Sequence, residues 1–498
     1  MNILVTGGSG FIGNCFVKLL LNKYPHYHVV NLDKLTYAGN KDNLKDVEHH
    51  PRYRFIQGDI CDAILVNKIM QEHKIDIIVN FAAESHVDRS ILNSDSFVRT
   101  DIFGMFVLLE ATRKFNVKKF IHISTDEVYG DTMEGSFHEE DRFSPSSPYS
   151  ASKAAAELLA KSYIRTHKTP VIITRSSNNY GPYQYPEKII PCFMTKLLQG
   201  QKVPLHNPKP VRDWIHVQDN CEAIDFILNN GELGETYNIG GGNEKTNLEV
   251  TKIILNSFGF DESYIDNVAD RKGQDMRYSI NCDKIHQLGW KPRIPFDQGI
   301  KETIDWYKQN SWWWQKINKI VIAGANRTGH AGVVLNTLHM IDEHSIVGFL
   351  DNNPDVDKVP QIPLLGGTEP LPELNGVEGA IVAVGENNSR EKIAQQLKEK
   401  GLKLINVIHP NAYLAPGVLV GEGVFIGPGA IINSGTRIGN NVIIGAGTVV
   451  DNNVSIGDSV FIGPAAVIDA RAKIDPKVFI PTGTRISLDA QVKVGDAL

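Results

Sequence analysis

The sequence predicts an α/β protein in three parts: a doubly wound parallel sheet, a smaller α/β layer of the same kind, and a parallel β-helix. Three observations carry this. Short apolar runs alternate with helical patterns up to about residue 175, the arrangement of a parallel sheet covered on both faces. A glycine-rich turn follows a strand twice, from Gly7 and from Gly324. From Leu414 onward an apolar residue recurs every six positions.

In chain order, Ile3–Thr6, His28–Leu32, Arg54–Gln57, Ile77–Phe81, Phe120–Ser124 and Val171–Arg175 are expected as strands, with helices such as Phe11–Lys23 and Ser152–His167 between them. Residues 176–310 are richer in Pro and Gly and are expected to form a capping lobe. Gln309-Asn-Ser-Trp-Trp-Trp-Gln315 closes it, with its tryptophans packing at a domain end. Lys319–Ala323, Ile346–Leu350 and Ala380–Val384 are the next expected strands, with helices near Ala331–Ile341 and Ser389–Lys400. Then Leu414, Val420, Ile426, Ile432, Ile438, Ile444, Val450, Ile456, Ile462, Ile468, Ile474, Ile480 and Ile486 form thirteen unbroken hexads, each with Val, Ala or Thr in fifth place. Such a repeat stacks equivalent inward side chains from coil to coil. The expected division is 1–315, 316–408 and 409–498.

Composition narrows the function classes. The 498 residues are 42% hydrophobic and 22% charged with formal net charge −6, ordinary for a globular chain. No long basic run suggests a nucleic-acid groove or a membrane anchor. No apolar run is long enough to span a bilayer, and no secretory leader is read at the first residues. The five cysteines are scattered without a C-x-x-C, so neither a disulfide framework nor a metal site is expected. A cytoplasmic setting with reduced thiols follows.

Gly7-Gly-Ser-Gly10-Phe-Ile-Gly13 opens the first helix directly after the first strand. Glycines let backbone approach a pyrophosphate, and the helix N-terminus favours its charge. Asp33, 20 residues after Gly13 and followed by Lys34, is placed to bind ribose hydroxyls and repel a 2′-phosphate, which favours NAD over NADP. Farther on, Tyr149 and Lys153 stand at i and i+4 and share a helical face. A phenol is a poor base with a reference pKa of about 10, but nearby positive charge stabilises its phenolate. Thr125-Asp126-Glu127 precedes this pair. Its carboxyl groups add an acid and a base that simple alcohol oxidation does not require.

These segments, together with Arg175-Ser-Ser-Asn-Asn-Tyr-Gly-Pro-Tyr183, make residues 1–315 resemble the extended short-chain dehydrogenase/reductases, and within them the dTDP-glucose 4,6-dehydratases. Epimerases and decarboxylases of that fold lack the Asp-Glu pair. The resemblance implies a Rossmann domain with tightly bound, recycled NAD. It implies that Tyr149, held by Lys153, takes the carbon-4 hydroxyl proton, that Glu127 removes the carbon-5 proton, and that Asp126 protonates the departing carbon-6 hydroxyl, with Thr125 in the catalytic set. Gly7, Gly10, Phe11, Ile12, Gly13, Asp33 and Lys34 would hold the cofactor, with Asp59 and Ile60 at adenine. Ala82, Ala83, Ser85, Thr100, Tyr149, Lys153 and Asn179 would lie toward nicotinamide. His86, Thr125, Asn178, Lys188, Ile189, Arg212 and Asn247 would contact the sugar nucleotide, with Arg212 suited to the diphosphate. Asp270, Arg271 and Gln274 belong to a matching nucleotide-binding turn. There Lys272 and Gln274 replace the usual proline and histidine, so thymine and uracil both stay open.

Residues 319–498 resemble sugar-nucleotide N-acyltransferases: a small Rossmann-like domain, then a left-handed β-helix. Gly324–Gly329, His330 and Asp351 correspond to the nucleotide-sugar site of that family, and acetyl-CoA would be the acyl donor. The family's general base is a histidine in a Val-Asp-His-Asp type sequence. This chain reads Val450-Asp451-Asn452-Asn453, and no histidine follows His409. An amide cannot accept an amine's proton at neutral pH. Four readings stand at this stage: a hydro-lyase whose second half has lost acyl transfer, a bifunctional dehydratase and acetyl-CoA-dependent N-acetyltransferase, a UDP-glucose 4,6-dehydratase or epimerase on a scaffold, and a binding protein. The families imply a homo-oligomer, dimeric through the first half and trimeric through the β-helix.

Overall fold

The computed structural model describes residues 1–498 apart from 37, 86, 93, 269–274, 315–318, 325–328, 342–343, 354–361, 416 and 497–498. The chain forms two compact units, Met1–Trp314 and Gln315–Leu498.

The first unit is built on a seven-stranded parallel sheet. Its strands are Asn2–Thr6, His28–Asp33, Tyr53–Gln57, Ile77–Asn80, Lys119–Thr125, Val171–Ser176 and Thr236–Ile239. Starting at one edge, the order runs 236–239, 171–176, 119–125, 77–80, 2–6, 28–33, 53–57. The order reverses between 2–6 and 77–80, and ligands of open α/β sheets bind at such a switch point, beyond the carboxyl ends of the strands. Two apolar cores cover the two faces, one around Ile3, Val5, Phe16 and Leu20, the other around Leu4, Ile78, Leu108 and Ile173.

The expected lobe boundary at residue 176 is crossed by the chain. Helix Val217–Asn230 packs on helix Phe11–Lys23, and strand Thr236–Ile239 then joins the main sheet. The reason is burial: Ile224, Ile227 and Ile239 complete the first core. The rest of 176–310 makes a smaller layer around Tyr180, Met194, Trp214 and Ile254. Trp313 and Trp314 seal that layer. Trp313 donates its indole N–H to Asn43 at 2.6 Å, and Trp314 donates to the Tyr307 carbonyl at 2.8 Å.

In the second unit a five-stranded parallel sheet has the order 364–366, 345–350, 319–323, 379–382, 403–404. Beyond it, two-residue strands stack into three five-stranded parallel sheets. In each coil strand the second residue points inward, so Ile426, Ile444, Ile462 and Ile480 are fully buried. The stack begins one hexad before the expected start, at Val407–Ile408, and ends one after, at Gln491–Val492. The small sheet and the coil share a core, because Phe425 and Ile443 on the outer face of the coil pack with Ile320, Leu335 and Ile381. Arg390 lies inside this junction. It donates to the carbonyls of Asn441 at 2.7 Å and Ser459 at 2.8 Å, and to Gly385 at 2.9 Å.

Candidate active site

The glycine turn lies where the sheet order reverses. Gly7 has φ +66°, and a Cβ there would meet the Ala82 amide nitrogen at 2.6 Å. A side chain is therefore excluded both by conformation and by the approach of the next loop. Asp33 ends its strand with its carboxylate already oriented, accepting from the amides of Ser9 and Leu35, both at 2.8 Å. Burial raises its pKa against those two bonds. Lys34 pairs with Asp59 at 2.9 Å.

Two elements deliver the chemistry-bearing side chains. Strand Lys119–Thr125 ends in a one-turn helix, Asp126–Val128, capped by Thr125, whose hydroxyl accepts from the Glu127 amide at 3.3 Å. This tight turn aims both carboxyl groups past the end of the sheet. Helix Pro148–His167 starts four residues before the expected Ser152, because Ser147 and Ser150 form a capping box and Pro148 sits in the first turn, where a missing N–H costs nothing. Tyr149 thus lies in the first turn, with Lys153 one turn on. The Thr125 side chain acts on Tyr149, easing its ionisation, and Lys153 Nζ donates to the Ile123 carbonyl at 2.7 Å.

One cavity of about 660 Å³ spans the site. Gly7, Gly10, Phe11, Ile12, Gly13, Asp33, Lys34, Asp59 and Ile60 line it. So do Ala82, Ala83, Ser85, Thr100, Thr125, Asp126, Glu127, Tyr149, Lys153 and Asn179, together with Asn178, Lys188, Ile189, Arg212 and Asn247. His86, Asp270, Arg271 and Gln274 lie outside the described residues.

The carboxyl groups are electrostatically distinct. Asp126 is 3% exposed. Burial, then the charges of Glu127 and Asp213, push its pKa well up, and its Oδ2 is buried without a partner. Its surroundings therefore favour the protonated form. Glu127 is also raised by burial, but Lys188 and Arg212 favour its ionised form. Burial, then the charges of Glu127 and Asp101, raise the pKa of Tyr149, so positive charge near it favours its action as a base.

Residues 4–303 match the GDP-mannose 4,6 dehydratase family. A dTDP-glucose 4,6-dehydratase of Streptomyces antibioticus is 49% identical over 326 residues, which cover 64% of this chain and 96% of that protein. The low-salt glycan biosynthesis protein Agl12 of Haloferax volcanii is 48% identical over 62% of this chain and 98% of its own length. The crystal structure of DesIV, a dTDP-glucose 4,6-dehydratase from Streptomyces venezuelae with NAD and TYD bound, superposes with TM-score 0.62 at 48% identity, over 63% of this chain and 99% of DesIV. The chain belongs to the sugar-nucleotide 4,6-dehydratase family. Residues 319–397 match the PglD N-terminal domain, and 417–452 match the bacterial transferase hexapeptide repeat. The chain is therefore a dehydratase, a hydro-lyase, fused to an acyltransferase-like unit with a left-handed β-helix.

The dehydratase site also contains residues that the sequence reading missed. Asp275 accepts from Tyr278 Oη at 2.6 Å and from Ser146, and its carbonyl accepts from Arg212 at 2.8 Å. Arg212 in turn stacks over the Tyr278 ring at 4.1 Å. This cluster orients the guanidinium, and the Asp275 charge opposes ionisation of Glu127 while Arg212 favours it. Asp275 and Tyr278 lie more than a hundred positions beyond Glu127 in the sequence, and no local spacing joins them. Asp101 was also missed, although it directly follows Thr100.

In the acyltransferase-like unit, Gly324 has φ +101° at the end of its strand, and residues 325–328 lie outside the description. His330 opens helix His330–Ile341. Its ring meets Phe425 edge-on at 4.7 Å, and burial lowers its pKa to about 4. Asp351 follows strand Ser345–Leu350 and caps the next turn, accepting from the Asn353 amide at 2.9 Å. Asn452 is bound sideways and along the coil. It donates to Asp451 at 2.9 Å and accepts from the Ser434 hydroxyl at 3.0 Å.

Proposed function

We propose that the first unit converts dTDP-glucose to dTDP-4-keto-6-deoxyglucose. The observation that carries this is the convergence of Tyr149, Asp126 and Glu127 on one cavity, with the two carboxyl groups electrostatically divided. The cavity residues fit NAD. The glycine turn and Asp33 suit a pyrophosphate and a ribose, and Ser124 Oγ, Ser177 Oγ and Asn179 Oδ1 are buried polar atoms without partners, suited to an amide-bearing ring. When bound, NAD supplies a hydride acceptor that later returns the hydride, so the sugar's overall oxidation state is unchanged.

The chain's residues do the proton work. Tyr149 takes the proton of the carbon-4 hydroxyl as its C–H bond breaks, with Lys153 stabilising the phenolate. The resulting ketone acidifies carbon 5. Glu127 takes that proton while Asp126 gives its own to the carbon-6 hydroxyl, which leaves as water. Arg212 and Lys188 hold the diphosphate end. Thymine as the base is supported by the relatives' names.

The test is mass spectrometry after separate incubation with dTDP-glucose and UDP-glucose. Loss of one water, faster from dTDP-glucose, is expected. An unchanged mass with inverted carbon 4 would replace this reading with epimerisation.

For the second unit, the fixed amide of Asn452 supports binding without acyl transfer. Robust transfer from acetyl-CoA to a 4-amino sugar nucleotide by the full chain would overturn that and make the protein bifunctional. We further propose a cytoplasmic homo-oligomer. In its favour, no helix among the described residues is long and apolar enough to cross a membrane. Val98, Phe103, Phe106 and Leu158 are exposed on helices of the first unit, and Tyr413 and Ile431 are exposed in one outer column of the coil, which suits a dimer and a trimer contact respectively. Light scattering that returned a plain monomer would remove this.

A further inference from the structure

The helix leading into Met105–Lys114 contains a π-helical stretch, Val98–Gly104. An extra residue per turn re-aims the side chains around it, and such turns recur at functional sites. Here the stretch carries Asp101, 3% exposed. One carboxylate oxygen accepts from the Ser152 hydroxyl at 2.6 Å, the other from the Glu84 amide at 3.3 Å. Ser152 lies between Tyr149 and Lys153. Glu84 lies in the loop that carries Ala82, Ala83 and Ser85. A single side chain thus ties together two walls of the catalytic cavity.

Asp101 also balances charge. Lys153 is 4% exposed, and burial lowers its pKa. Two carboxyl groups oppose that effect, Asp101 and Glu157. Glu157 is committed elsewhere, taking Arg175 Nε at 3.0 Å and Nη2 at 2.7 Å. The other charged groups facing Tyr149 are Glu127 and Asp126, which look toward Lys188 and Arg212. His122, beneath the strand end, is kept neutral by burial. Lys153 is the cation that acts on Asp101. Burial pushes the Asp101 carboxyl up to about 6, so its charge is present above that pH.

We propose that Asp101 is a positioning residue, the buried counter-ion that keeps Lys153 protonated and sets the proton affinity of Tyr149 for the oxidation step. This rests on Tyr149 being the base. The sign is fixed by electrostatics: a negative charge raises the pKa of both Lys153 and Tyr149, so its removal lowers both.

The test is the pH profile of dTDP-glucose dehydration by the full chain, followed as water loss by mass spectrometry. In Asp101→Asn both limbs of the profile should move toward acid by about one pH unit. Ser152→Ala, which removes the hydrogen bond and leaves the charge, should lower turnover with both limbs in place. Unmoved limbs in Asp101→Asn, or an equal displacement in Ser152→Ala, would overturn the proposal. If Asp101→Asn does not fold, Asp101→Glu keeps the charge and should keep the limbs; displaced limbs there would count against it. A Tyr149→Phe variant with normal turnover would instead sink the underlying assignment, so the two failures are distinguishable.

Discussion

Replacing Asp126 with asparagine separates oxidation from dehydration. Burial, then Glu127, oppose ionisation of the native carboxyl, and the substitution changes little volume. Its Oδ2 has no protein partner, and its Oδ1 takes only a long 3.3 Å bond from Thr125. Stability should therefore stay within about 1 kcal/mol of the parent. On the roles proposed above, what is lost is the proton for the departing hydroxyl. General-acid catalysis contributes roughly 10²–10⁴ in rate, or about 3–5 kcal/mol on the barrier at about 1.4 kcal/mol per decade. Rapid mixing of dTDP-glucose with the NAD-loaded protein should show reduced-nicotinamide absorbance that rises and persists, while the dehydrated sugar appears hundreds of times more slowly. Water loss at the parent rate, or no reduced nicotinamide in a folded variant, would refute the division of labour between Asp126 and Glu127.

Other perturbations give further expectations. Tyr149→Phe should retain bound NAD yet show no reduced nicotinamide on mixing with substrate, with turnover down at least about 10²-fold. Glu386 caps helix Asn387–Glu399 by accepting from the amides of Asn388 and Ser389, and the Ser389 side chain together with these amides lowers its pKa to about 2. Glu386→Ala should therefore cost about 1 kcal/mol at neutral pH. Because the folded-state pKa is depressed, that cost should be full above the unfolded value of about 4.3 and vanish as pH falls through about 2, read from urea melts of the second unit across pH. Ile444 is fully buried in the coil, and Ile444→Ala should cost about 2–5 kcal/mol in the same melts.

Much of this molecule was legible because its signals are local and periodic. The hexads need only a count of six, since each inward side chain stacks on its equivalent in the next coil. The Gly7 turn and the Tyr149/Lys153 pair are each written within a few residues, and Asp126 and Glu127 follow a strand end. What stayed hidden depends on distant segments meeting. Strand Thr236–Ile239 reads like lobe sequence and joins the main sheet only because Ile224 and Ile239 fill a core that begins at Ile3. Asp275 and Tyr278 approach Glu127 and Arg212 through tertiary packing. Asp101 faces inward through a π-helical register that no 3.6-residue periodicity describes. Arg390 sits in an otherwise polar helix pattern, and only the junction it fills reveals why a guanidinium is buried there.

The stacking register of the coil constrains how this protein can change length. Strand residues pair with counterparts 18 positions away, as Ile426 does with Ile444. Removing one residue inside a coil would turn every later isoleucine outward, whereas losing a complete 18-residue rung would leave the surviving rungs in phase. Viable natural shortening or extension of this half should therefore come in whole rungs, or as loops at the corners, and a ruler of that kind would fix its height in discrete steps.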